Sequence, residues 1–172
     1  MLPLAILSLT PYYILWKDHL TIESLENFVV NSRSWAGYGT IVVLLVILAG
    51  IIAHEFIHGV TWAKYAKRGF KSIEFGMLWK ELTPYCHCTE KLPIRQYIIG
   101  TLMPGIVLGF IPAVIAYITG NFWTMAFGLF FTAAAASDFM IINILRKEKP
   151  DDLVQDHPTK IGCIIYRKQS TT

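Results

Sequence analysis

His54-Glu55-Phe-Ile-His58 places two imidazoles and a carboxylate within five residues. On a helix, residues four apart project from one face, so His54 and His58 point the same way. That spacing suits two nitrogen ligands on one zinc ion. Glu55, three residues before His58, lies beside the same site, where it can take a proton from a metal-bound water. Apolar residues run from Ile41 to Ala53, directly into the motif. An ionisable group at the centre of a membrane helix costs about 3 kcal/mol or more, and such groups are functional by default. The plain alternative is a pair of hydrogen-bonded core histidines. Three specified residues in an apolar helix weigh against it.

A catalytic zinc site usually has a third protein ligand and a water. Asp138 is the only acid between Tyr97 and Thr119 or between Phe122 and Leu145, the last two apolar stretches. It lies eight residues before Arg146, while His58 and His54 lie six and ten residues before Lys64. At about 1.5 Å per residue, the aspartate is roughly 12 Å deep and the histidines roughly 9 and 15 Å, so the three can meet at one level. Ala133 to Ala136 keeps the aspartate's helix thin, which favours close approach. An aspartate satisfied by a neighbouring hydroxyl such as Ser137 is the bland reading. The rival ligand is His87, in Cys86-His87-Cys88, although C-x-C spacing alone is a weak zinc signal. His87 is expected on a strand or loop near the mouth of the site. His157, in Asp156-His157-Pro158, reads as a turn or helix-start element, and His19 as irrelevant to the site.

The elements that must position these groups follow from composition. The 172 residues suit one domain; 54% are hydrophobic and 16% charged, with a mean hydropathy of +0.48. That is too apolar for a soluble domain of this size and points to an integral membrane protein. Hydrophobic segments fall at about 1–16, 37–65, 97–119 and 122–145, followed by a polar tail at 146–172. The first is short of the roughly 20 residues a span needs, so it is either a weak span or an interfacial piece. Lys17 to Ala36 is polar, with an amphipathic pattern around Ile22, Leu25, Phe28 and Val29. Residues 69–96 are polar, with partial alternation around Ser72 to Trp79 and a second run at Tyr85-Cys-His-Cys, which suggests one or two short strands. Pro104 and Pro112 predict a kinked third span, and Gly105 and Gly109 a close helix contact. The expected fold is an all-α integral membrane protein with three or four transmembrane helices and a small cytoplasmic β-hairpin or loop between the second and third hydrophobic segments.

Thirteen of the fifteen Lys and Arg residues fall in Lys64–Arg95 or from Arg146 onward. Three helices after the first loop put both regions on one side, which is then cytoplasmic. The expectation is a multi-pass protein of the bacterial plasma membrane with its site opening to the cytoplasm. Cys86, Cys88 and Cys163 then face a reducing compartment, in keeping with their odd number. No phosphate-binding loop or nucleic-acid motif is present, so nucleic acid is not an expected partner. The expected partners are the lipid bilayer and a peptide or transmembrane protein substrate.

With His54-Glu55-x-x-His58 on one apolar helix and Asp138 on a later one, the chain resembles the site-2 protease class of intramembrane metalloproteases. It resembles more closely the bacterial putative zincin peptidase family. The resemblance runs from about Ala49 to Tyr166 and includes Thr83-Pro-Tyr-Cys86, Leu102-Met-Pro-Gly105, Ser137-Asp138 and Asp156-His-Pro158. It implies zinc held by His54, His58 and Asp138, Glu55 as catalytic base, access from the cytoplasm, and a small sheet between the second and third helices. Two departures from site-2 proteases stand out. Phe139 follows Asp138 where glycine is usual, and no Asn-Pro element leads into Asp138. The function implied is zinc-dependent peptide-bond hydrolysis in or beside the membrane. A reading from another class is a non-catalytic membrane protein with a structural zinc site, closed by His87 or a cysteine, or with a partner-binding cytoplasmic loop. A transport path through the kinked helices ranks last, since no paired acids or inverted repeat support it.

Overall fold

The computed structural model describes residues 2–18, 38–79, 83–157 and 162–167. The amphipathic stretch around Ile22 to Val29, His19 and Pro158 lie outside the described residues. Helix α1 (Leu2–Trp16) contains Pro11. Its fifteen residues span about 22 Å, less than a hydrocarbon core of about 30 Å. Its far end is fastened to a turn: the Tyr12 hydroxyl donates to the Gly120 carbonyl at 2.7 Å, and the Trp16 indole donates to the Tyr117 carbonyl at 3.1 Å. Gly120 has φ of 69°, a left-handed conformation that glycine adopts without a Cβ penalty, and a Cβ there would strike the Trp16 ring.

Helix α2 (Tyr38–Ala63) carries the histidine motif. It is long and apolar enough to cross a membrane, as is α3 (Ile94–Thr119). Side chains such as Ile41, Leu44, Leu45 and Leu48 are exposed, which is compatible with a membrane-crossing helix. Helix α3 passes through a π-helical stretch at Gly105–Phe110. Pro112, just beyond it, cannot donate to the helical ladder, and a wider turn absorbs that fault.

The apolar run after Gly120 forms two helices, α4 (Phe122–Ala134) and α5 (Ala136–Leu145), bent by 46°. Asn121 caps α4 by accepting from the Thr124 amide at 2.9 Å. Helices α3 and α4 cross closely. A Cβ on Gly128 would come within 2.8 Å of the Ala113 amide and the Gly109 carbonyl, and one on Gly109 within 2.5 Å of the Thr132 hydroxyl. Gly105 meets Phe139 and Ala135 instead.

The expectation of an all-α protein is overturned by two small antiparallel sheets. Strands β1 (Ile73–Leu78) and β2 (Thr83–Cys88) form a hairpin in register from Ile73↔Cys88 to Leu78↔Thr83. A second sheet has the order β3-β4-β5, from Leu92–Pro93, Leu153–Asp156 and Cys163–Tyr166. The tail beyond Arg146, read as a polar extension, therefore supplies two strands. Each is four residues long, too short for its alternation to stand out, although Val154 is fully buried. Pairing β3 with β4 holds the middle segment and the tail at the same end of the helices. One core gathers there, from Trp62 of α2, Cys86 and Cys88 of β2, Leu92, Ile94 and Tyr97 around the start of α3, Leu145 of α5 and Val154 of β4.

Glu90 clasps the chain leaving α2. Its carboxylate accepts from the Ser72 hydroxyl at 2.7 Å, the Lys67 and Arg68 amides at 2.8 and 3.1 Å, and the Arg68 side chain at 2.9 Å. The Ser72 hydroxyl, then the Arg68 guanidinium, hold its pKa at about 2 against an ordinary 4.5. A depressed acid stabilises the fold fully above the ordinary value and loses that contribution as pH falls towards the folded one. Glu90→Gln should therefore lower the melting temperature at pH 7, with the gap from wild type closing between about pH 5 and pH 2; a gap independent of pH would refute the clasp.

Candidate metal centre

His54 and His58 share one face of α2, and both are at least nine-tenths buried. Asp138 comes to them from the first turn of α5. Its Oδ2 lies 3.1 Å from His54 Nε2, and its Oδ1 lies 3.6 Å from His58 Nε2. The carboxylate thus hydrogen-bonds His54 and faces His58. Ser137 lines the adjoining cavity.

The proton positions on His58 follow from its neighbours. Nδ1 lies 2.9 Å from the Gly100 carbonyl, which can only accept, so Nδ1 carries the hydrogen. In the neutral ring, Nε2 then turns a lone pair towards the carboxylate oxygen, an arrangement that repels unless a cation lies between them. The spacing suits a metal. Bonds of about 2.0–2.1 Å in a tetrahedral site put ligand atoms roughly 3.3–3.4 Å apart, and the two observed separations bracket that value. The three donor atoms all fall within 4.8 Å of one another. Two imidazole nitrogens and a carboxylate are also a donor set that zinc accepts in catalytic sites.

Two glycines set the surroundings. A Cβ on Gly59 would lie 2.6 Å from the Phe75 ring and 3.0 Å from Ile73, so this glycine lets the hairpin settle on the motif helix. A Cβ on Gly100 would lie 2.1 Å from Trp62 Nε1. Trp62 fills that space: its ring stacks on His58 at 5.0 Å and 13°, and on Tyr97 at 5.0 Å and 20°. Its Nε1 donates to the Tyr97 carbonyl at 3.1 Å.

Glu55 lines a cavity of about 430 Å³ together with both histidines, Asp138 and β2. His87 lies on β2, in contact with the Tyr85 ring, and also lines the cavity. It is outside the three-residue cluster. His157 belongs to the β4–β5 connection, where its amide donates to the Gly162 carbonyl at 2.9 Å. Cys86 lines the cavity too, but burial, then the Glu55 and Asp156 charges, push its thiol up. Burial raises Cys88 to about 11, so both stay protonated thiols and are poor ligands in that form.

Sequence reasoning missed three groups. Trp62 had a signal, since it lies four residues after His58 on the same helix face. Tyr97 had none beyond its aromatic character. Asp156 comes from the tail and was read only as part of a turn. It is buried, accepts from the Cys88 amide at 2.8 Å and from the Tyr97 hydroxyl, and lines the cavity. Burial raises its pKa, and the Tyr97 and Cys88 donors oppose that rise.

Two histidines four apart on a helix, with a glutamate between them and a third ligand from elsewhere, define a zincin-type centre. The profile of the family described as "Putative zincin peptidase" matches residues 47–153, well over half of the chain, and the chain belongs to that family. The family's zincin character implies zinc. No curated protein and no solved structure matches the chain.

Gly100→Ala tests how tightly this packing is set. The indole is boxed between two rings and cannot yield, so the variant should lose roughly 1–3 kcal/mol of stability by overpacking. An unchanged thermal or denaturant midpoint would refute the close fit.

Proposed function

We propose that this chain is a zinc-dependent metallopeptidase of the membrane, similar to site-2 proteases, which hydrolyses peptide bonds of a membrane-associated or transmembrane protein substrate. The observation that carries this reading is the meeting of His54, His58 and Asp138 at metal-ligand spacing, on a cavity that also holds Glu55. The bilayer is the expected solvent for the exposed apolar side chains of α2 and α3. The excess of Lys and Arg at the sheet-bearing end supports a cytoplasmic opening in a bacterial plasma membrane.

His54, His58 and Asp138 would hold the ion, and His87 would not. Zinc bound there supplies a Lewis acid for the scissile carbonyl and a water of lowered pKa. Glu55 accepts the proton of the attacking water and delivers it to the leaving amine. Cys86 of β2 lines the same cavity as Glu55. His54, His58 and Asp138 line the same cavity as Glu55, which would receive the peptide. A purely structural zinc is usually enclosed by four protein ligands; among the described residues the cluster has three and adjoins an open cavity.

Protein purified in detergent should carry about one zinc per chain. Asp138→Ala should lose it, and His87→Ala should keep it. Glu55→Gln should retain zinc while its cleavage of fluorogenic peptides drawn from membrane-protein segments falls on the order of 100-fold or more. Cleavage unchanged in Glu55→Gln, or no zinc uptake by any sample, would refute the peptidase reading.

A further inference from the structure

We propose that Asp156, supplied by the C-terminal tail, is a positioning residue for the metal-site histidine His58, acting through Tyr97 and Trp62. The inference rests on the zinc reading of the cluster and goes beyond it, because Asp156 lies outside both the motif helix and the helix that carries Asp138.

The argument follows the contacts outward from His58. Its ring is fixed along one edge by the hydrogen bond to the Gly100 carbonyl and across one face by Trp62. The second of these restraints depends on Tyr97. The indole is oriented by the Tyr97 carbonyl and lies flat on the Tyr97 ring. Tyr97 is 2% exposed, and its hydroxyl finds its acceptor in the Asp156 carboxylate. The other oxygen of that carboxylate accepts the Cys88 amide. Cys88 is two residues from Cys86, which lines the cavity beside Glu55. One carboxylate thus fixes a stack of three nearly parallel rings that ends at a metal ligand, and the strand that lines the cavity beside Glu55.

The two histidines differ in this respect. Among the described residues, Nδ1 of His54 is buried with no hydrogen-bond partner, while Nδ1 of His58 is held. Outer hydrogen bonds to ligating imidazoles fix their tautomer and orientation, and their loss typically weakens metal binding by about 10- to 100-fold. Here the supporting shell of His58 extends through two aromatic rings into the tail.

The test uses the full chain in detergent, with zinc affinity measured by chelator competition and the visible spectrum of the cobalt-substituted protein recorded alongside. Asp156→Asn keeps the volume and removes the charge. Tyr97→Phe keeps the ring stack and removes only the hydroxyl, so it remains informative if the first variant folds poorly. Each should weaken zinc binding by about 10-fold or more and alter the cobalt bands. The double variant should lose no more than the worse single one, because both substitutions break the same link. Zinc affinity and cobalt spectrum unchanged in folded Tyr97→Phe would overturn the proposal, as would fully additive losses. A wild-type protein that binds neither ion would overturn the zinc reading itself, and this inference with it.

Discussion

A carboxylate facing two imidazoles in an apolar interior is under electrostatic constraint. Removing Asp138 from water is expensive unless positive charge or hydrogen bonds replace the lost solvation. The Gly100 carbonyl commits one hydrogen of His58 to the wrong side of the ring to help. A single cation shared by three ligands satisfies all of them at once, and a proton satisfies only one pair at a time. The rest of the structure can be understood as what is needed to keep these groups together. The 46° bend between α4 and α5 aims Asp138 at the motif helix, and Gly50 lets the Phe131 ring of α4 press directly on that helix.

The chemistry was more legible in the sequence than the architecture. His54, Glu55 and His58 announce themselves by type and spacing, and Asp138 by being the one acid in two apolar stretches. The depth argument for Asp138 assumed a straight helix; the structure reaches the same meeting with a bent one. No glycine or proline marks Ala135, so the bend has no local signal. The tail strands were invisible for a different reason. Leu153-Val-Gln-Asp and Cys163-Ile-Ile-Tyr are strands because they pair with each other and with Leu92-Pro93, and pairing across some sixty residues leaves no periodicity within four.

Phe139, directly after Asp138, shows how a bulky ring is accommodated beside the cluster. A residue larger than glycine after the third ligand needs room on the neighbouring helix. Gly105 provides it, since a Cβ there would lie 3.1 Å from the Phe139 ring. The Leu102-Met-Pro-Gly105 motif and Ser137-Asp138-Phe139 are therefore two sides of one contact. The missing Asn-Pro element has no such counterpart: the chain approaches Asp138 through an alanine run, which turns at Ala135 without a proline to force it.

The two ends of the helices answer to different physics. Towards Tyr38, α2 exposes nearly every apolar side chain, and its stability there depends on its solvent. Towards Ala63 it enters a core shared by both sheets and three helices. The metal ligands lie near that boundary, with aromatic rings and strands on one side. This placement reconciles two demands that conflict in a bare membrane helix. Under the proposed function, water and an extended chain would need access to the site, while its ligands would need rigid support. The hairpin and the tail sheet supply that support from the polar end, so the apolar helices need not carry the polar network themselves.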